Sequence, residues 1–107
     1  MQRLIPFLIT AAVLCFATTV SADTAKGEGV YMNFCASCHA NGIAGAPKVG
    51  DKAAWQERSA QGPDKMIANA IKGFQGKSGY MPPKGGHSAL TNEEVSAAVL
   101  FMLEKSK

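Results

Sequence analysis

The sequence predicts a small all-α protein, with about four helices wrapped around one bound cofactor. Three observations predict it. Apolar residues recur at helical spacing along the chain, and no alternating strand pattern is visible. Two long connections rich in glycine and proline separate the helical stretches, and loops of that length in so short a chain are usually functional. The run CASCH, Cys35 to His39, places two cysteines and a histidine within five residues.

The 107 residues allow one domain. Residues 1–22 read as a secretory leader: one charge at Arg3, an apolar run from Leu4 to Val20, and the small-residue exit VSA, with the cut between Ala22 and Asp23. Because the run has about 17 apolar-biased residues, a retained membrane anchor is the alternative. Cys15 lies in this run and reads as one more apolar residue, since Leu14 before it is too bulky for a lipoprotein processing site. Residues 23–107 then form the functional domain. They keep 10 of the 11 basic residues against 8 acids, a net charge of +2. That is too weak to suggest nucleic acid.

The first helix is expected over about residues 25–38. Val30, Tyr31 and Phe34 supply its apolar side, and Gly27, Tyr31 and Cys35 fall four apart on one face. Residues 40–50, with three glycines and Pro47, make a loop. Asp51 suits the N-cap of a short helix carrying Trp55, the only tryptophan. Gly62-Pro63-Asp64 opens a third helix, with proline in the first turn. Its apolar stripe is Met66, Ile67, Ala70, Ile71 and Phe74, and Gly73 and Gly76 end it. Residues 75–89 form a second loop, containing Met81 followed by Pro82 and Pro83. Thr91 with Glu94 is a capping box for the last helix. Val95, Ala98, Val99 and Met102 mark its buried side, broadened by Leu100, Phe101 and Leu103.

Three chemistries compete for CASCH. A structural zinc site needs four ligands, and the second cysteine pair is missing. A thiol–disulfide exchanger sets C-x-x-C at a helix start beside a βαβ unit, whereas this pair sits near a helix end with no strand in view. Covalent haem attachment fits best. Each thiol adds to one vinyl group, and the histidine that follows is placed beneath the ring, towards the iron. Cys35 and Cys38 are therefore the expected attachment points and His39 the first axial ligand. The candidates for the second axial position are Met32, Met66, Met81, Met102 and His87. Met66 and Met102 lie on helical stripes, where methionine is more often packing. Met32 is too near CASCH to reach the opposite face, and His87 reads as a solvated loop residue. Met81 lies in a loop, and Pro82 biases it towards extended backbone. It is the preferred ligand. Trp55, Ile67, Ile71 and Phe74 are expected to pack around the ring.

With CASCH, GAPKVGDKAAW, IKGF, YMPPKGG and LTNEEVSAAVLFML all in place, the chain resembles the class I c-type cytochromes, and in detail the cytochrome c5 group. CxxCH is generic to that superfamily, while GAPKxGDKxAW with MPPKGG is more specific. The resemblance spans residues 25–104. It implies one covalent haem c, axial ligation by His39 and Met81, and a backbone carbonyl in the Pro47 region that orients the His39 imidazole. It also implies that the first and last helices cross closely at Gly27 and Phe101. One departure stands out: c5 proteins typically carry two further cysteines after MPPKGG, and here His87 and Leu90 occupy those places.

The function expected is a monomeric periplasmic one-electron carrier, not an enzyme, that docks transiently with redox proteins. The membrane would enter only as the location of such partners. A haem-based small-ligand sensor with an accessible sixth position is the alternative.

Overall fold

The structure, a computed structural model, describes residues 2–6, 8–15 and 22–107. Of the expected leader exit, Val20 and Ser21 lie outside the described residues. The described part of 2–15 carries no helix or strand, and its apolar side chains, such as Leu4, Leu8 and Val13, are exposed. Among the described residues, no helix is long and apolar enough to cross a membrane.

One helical run covers Ala22 to His39 in three parts: α1 (Ala22–Val30), a π turn (Tyr31–Cys35) and α2 (Ala36–His39). The π turn is closed by the Ala36 amide donating to the Tyr31 carbonyl, five residues back. Such single turns often sit at functional sites, and this one delivers the chain directly to Cys35. A 3₁₀ turn at Ile43–Gly45 follows.

Helix α3 (Lys52–Ser59) starts where the Asp51 carboxylate accepts from the Ala54 amide at 3.2 Å. Helix α4 (Pro63–Lys72) begins on Pro63 and stops at Gly73, whose φ of 86° lies in the left-handed region. Phe74 therefore does not extend the α4 stripe as the spacing suggested. It opens β1 (Phe74–Gln75), which pairs antiparallel with β2 (Tyr80–Met81) in the register Phe74 to Met81 and Gln75 to Tyr80. Apart from Phe74, this ladder lies within residues 75–89, the stretch expected to be irregular.

A 3₁₀ turn at Pro83–Gly86 leads to α5 (Asn92–Lys105). Its capping box is complete: the Glu94 amide donates to Thr91 Oγ1 at 3.1 Å, and the Thr91 amide donates to Glu94 Oε1 at 3.0 Å. The four helical runs expected are thus present, with the small hairpin as an addition.

α1 and α5 pack against each other through Gly27. A Cβ there would overlap the Ala97 carbonyl and lie 3.1 Å from Phe101 Cβ. Glycine lets the two helices approach closely enough for Tyr31 and Phe101 to pack, with ring centroids 5.4 Å apart. The core joins this contact to Trp55, Met66, Ala70, Leu90 and the inner side of α5, which is Val95, Ala98, Val99 and Met102. Leu100, expected on that side, is half exposed.

Candidate functional site

Two facts place the site. CASCH ends the first helical run, and the core is arranged around a cavity of about 580 Å³ lined by Cys35, Cys38 and His39. Of the eleven buried hydrophobic residues among those described, eight also line this cavity: Trp55, Met66, Ala70, Leu90, Val95, Ala98, Val99 and Met102. Most of the hydrophobic core thus lies on the wall of the cavity. That suits a large apolar group better than solvent.

His39 is buried, at 8% exposure. Its Nδ1 lies 3.0 Å from the Pro47 carbonyl oxygen. A carbonyl can only accept, so Nδ1 carries the proton and Nε2 keeps its lone pair in the neutral ring. Burial pushes the imidazole below the ordinary histidine range. The Pro47 hydrogen bond acts in the opposite direction, and the Arg58 charge reinforces burial. The neutral form that binds metal is therefore favoured.

The loop after His39 is tied at four consecutive backbone groups. The Pro47 carbonyl accepts from His39 Nδ1. The Lys48 carbonyl accepts from Trp55 Nε1 at 2.8 Å. The Val49 amide donates to the His39 carbonyl at 2.8 Å. The Gly50 amide donates to Ser106 Oγ at 3.0 Å. Trp55 is buried at 4% exposure, and its ring centroid lies 5.9 Å from that of His39.

Cys35 does not suit thiol exchange. Burial pushes the Cys35 thiol up to about 11, whereas an exchanging cysteine needs a lowered value. Nor, among the described residues, do three or more histidine, cysteine or acidic side chains gather as a metal site. Both findings count against the rival chemistries of CASCH. The residues present fit a haem: two thiols, one imidazole with a free lone pair, and an apolar cavity.

Met81 lines the same cavity, partly buried, and is held by its pairing with Phe74. Met66 and Met102 line it too, from within the packed core. Met32 is exposed, and neither it nor His87 belongs to the lining. His87 instead stands edge-on to Phe34, with ring centroids 5.1 Å apart. Pro47, Trp55 and Phe74 line the cavity, but Ile67 and Ile71 do not. Those two isoleucines pack partly buried against the core. The α4 face on the cavity is Met66, Asn69 and Ala70, at i, i+3 and i+4, and 67 and 71 are turned about 100° away from it.

The cavity is also closed by a contact that the sequence did not announce. The loops 43–47 and 76–80 meet backbone to backbone at Gly45 and Gly79. A Cβ on Gly45 would overlap the Ser78 carbonyl, and one on Gly79 would overlap the Ala44 carbonyl. Paired glycines in two separate loops were the available signal, but sequence spacing gives no reason to match them.

Residues 22–102 match a family model described as cytochrome c oxidase, cbb3-type, subunit III. Cytochrome c-555 of Chlorobaculum tepidum is 46% identical over 100 residues, covering 94% of this chain and 93% of the relative. Cytochrome c5 of Ectopseudomonas mendocina is 34% identical over 88 residues, covering 80% and 97%. A chain in the crystal structure of an electron-transfer complex of nitrite reductase with cytochrome c is 43% identical. It superposes with a TM-score of 0.68, covering 77% of this chain and 95% of that one.

Proposed function

The chain belongs to the class I c-type cytochromes and resembles the c5 group; from that premise we propose that it is a periplasmic electron carrier with His39 and Met81 as axial ligands. Its cofactor is one haem c, attached covalently, and Cys35 and Cys38 with His39 fit the CxxCH pattern. When bound, the haem supplies a one-electron Fe(II)/Fe(III) couple.

The observation that carries this reading is the His39 ring, buried at the cavity with Nδ1 donating to Pro47 and Nε2 left to coordinate. The chain then does three things. Cys35 and Cys38 would hold the ring through thioethers. His39 presents a neutral nitrogen whose direction is set by the Pro47 carbonyl. The buried wall of Trp55, Leu90, Val95 and Val99 would shield the ring from water, which favours the less charged ferrous state. Met81 is the preferred second ligand because it lies on the cavity outside the packed helices, and a thioether ligand raises the potential further.

Export would place the chain where c-type haem is assembled in bacteria. A cut between Ala22 and Asp23 removes one residue from the start of α1 and, among the residues whose burial is described, leaves every buried one in place. The cytochrome in the nitrite reductase complex supports transient docking with redox proteins. Lys77 and Lys84 lie at the cavity lining and could meet acidic partners. Lys84 is already committed in part, since its Nζ donates to the Leu90 carbonyl at 2.5 Å.

Met81→Ala tests the ligand set. The variant should bind carbon monoxide rapidly when reduced and show a lower reduction potential, while the parent binds it sluggishly. Met102→Leu should change neither property. An unchanged spectrum and potential in Met81→Ala would remove Met81 from the iron. Rapid, tight carbon monoxide binding by the parent would favour the sensor alternative.

A further inference from the structure

We propose that Ser106 is a positioning residue for the His39 imidazole, acting through the Gly50 amide on the loop that carries the Pro47 carbonyl. The proposal rests on His39 being the iron ligand and assigns a task to a residue 67 positions away.

Ser106 is one of only two buried polar residues among those described, the other being His39 itself. It is 3% exposed, although its neighbours Lys105 and Lys107 are exposed. It caps the C-terminal end of α5, where its amide donates to the Leu103 carbonyl at 3.1 Å. A cap of that kind needs no hydroxyl. The hydroxyl instead accepts from the Gly50 amide, 56 residues earlier, at 3.0 Å.

The direction of this bond matters more than its strength. Residues 47–50 are held by five hydrogen bonds: one is local, from the Asp51 amide to the Lys48 carbonyl, and two return to His39 itself, through its ring and its carbonyl. Those two can move with the histidine and cannot fix where it points. The reference comes from outside, from Trp55 at Lys48 and from Ser106 at Gly50. α5 is held in turn by its crossing with α1, at the start of the helical run that ends in His39. Ser106 therefore closes a ring of contacts from the imidazole, through the loop and α5, back to the imidazole's own helix.

Gly50 is exposed, so water can take up its amide when the hydroxyl is removed. Ser106→Ala should thus fold and load haem, losing the tether and little else. The test is solvent exchange of the His39 Nδ1 proton, followed by NMR in the ferrous holoprotein. Thr91→Ala serves as the control, because it weakens α5 at the opposite end without touching the loop. Ser106→Ala should speed exchange about tenfold over both the parent and the control. Its reduction potential should rise, because a looser Nδ1–H···O bond makes the imidazole a weaker donor to ferric iron. Equal exchange in Ser106→Ala and Thr91→Ala would make Ser106 a stability residue only and overturn the proposal. An iron-bound His39 absent from the parent itself would instead bring down the ligand assignment, and this proposal with it.

Discussion

His39 is fixed through both its ring and its main chain. Its ring donates to Pro47 and its carbonyl accepts from Val49, so the ligand and its orienting loop form one small closed unit. Trp55 supports that unit from the side: its ring packs beside the imidazole and its Nε1 holds the Lys48 carbonyl. Trp55→Phe keeps most of the packing and deletes the hydrogen bond. It should lower stability by about 1 kcal/mol in a thermal or denaturant melt of the holoprotein, with haem still attached. Little of this unit could be read from the sequence. CxxCH announces the histidine, and the family resemblance announces the Pro47 carbonyl. Trp55 reads only as a bulky apolar residue, and its donor role depends on a backbone carbonyl that carries no sequence mark. Ser106 is less legible still, because nothing in its neighbourhood distinguishes it from an exposed helix end.

Among the elements, α5 was the most legible, because its start signal is local. Thr91 and Glu94 are three residues apart and satisfy each other's backbone amides. Thr91→Ala should cost about 1 kcal/mol, measured by denaturant unfolding. The Glu94 carboxyl is held below its ordinary value of 4.5, first by its hydrogen bond from the Thr91 amide. Its folded value is depressed, so its contribution is complete above that ordinary value and fades as pH falls through the folded one. A pH titration of stability should show this acid-side loss, and Glu94→Gln should flatten it. The α4 stripe was half legible. Its periodicity was correct, but periodicity does not say which flank faces a cavity. The Met66–Ala70 flank does so, and Ile67 and Ile71 do not. Phe74 fell on the stripe by spacing alone, whereas the left-handed Gly73 turns the chain into the hairpin first. The π turn at Tyr31–Cys35 left no trace in composition, since it changes the hydrogen-bond ladder and not the residue types. The meeting of Gly45 and Gly79 gives a sharp test of the loops. Gly79→Ala must displace the Ala44 backbone, and it should destabilise the holoprotein by about 1–3 kcal/mol in the same melt.

At the scale of the whole molecule, the cofactor completes the fold. With eight of the eleven buried hydrophobics among the described residues facing the cavity, an empty chain would leave most of that core against water. Replacing Cys35 and Cys38 with serine should prevent attachment. Far-ultraviolet circular dichroism of that variant should then show much less helix than the parent. That expectation can be read in outline from the sequence: the chain is short, its core residues are few, and Cys35 and Cys38 are too close together to staple distant parts of a fold. The cavity itself cannot be, because it is the sum of contacts from α4, α5 and two loops. The departure from c5 at His87 and Leu90 is also resolved at this scale. Leu90 is buried in the core and on the cavity wall, and the Lys84 ammonium holds its carbonyl. The loop that lacks a disulfide is closed by packing and a charged hydrogen bond.

The most direct test is an intact-mass measurement on denatured protein from a host that exports and matures such chains, with a thiol count on the same sample. A polypeptide beginning near Asp23, heavier by one haem and without reactive thiols, is the expected result. A bare polypeptide with both Cys35 and Cys38 open to alkylation would contradict it.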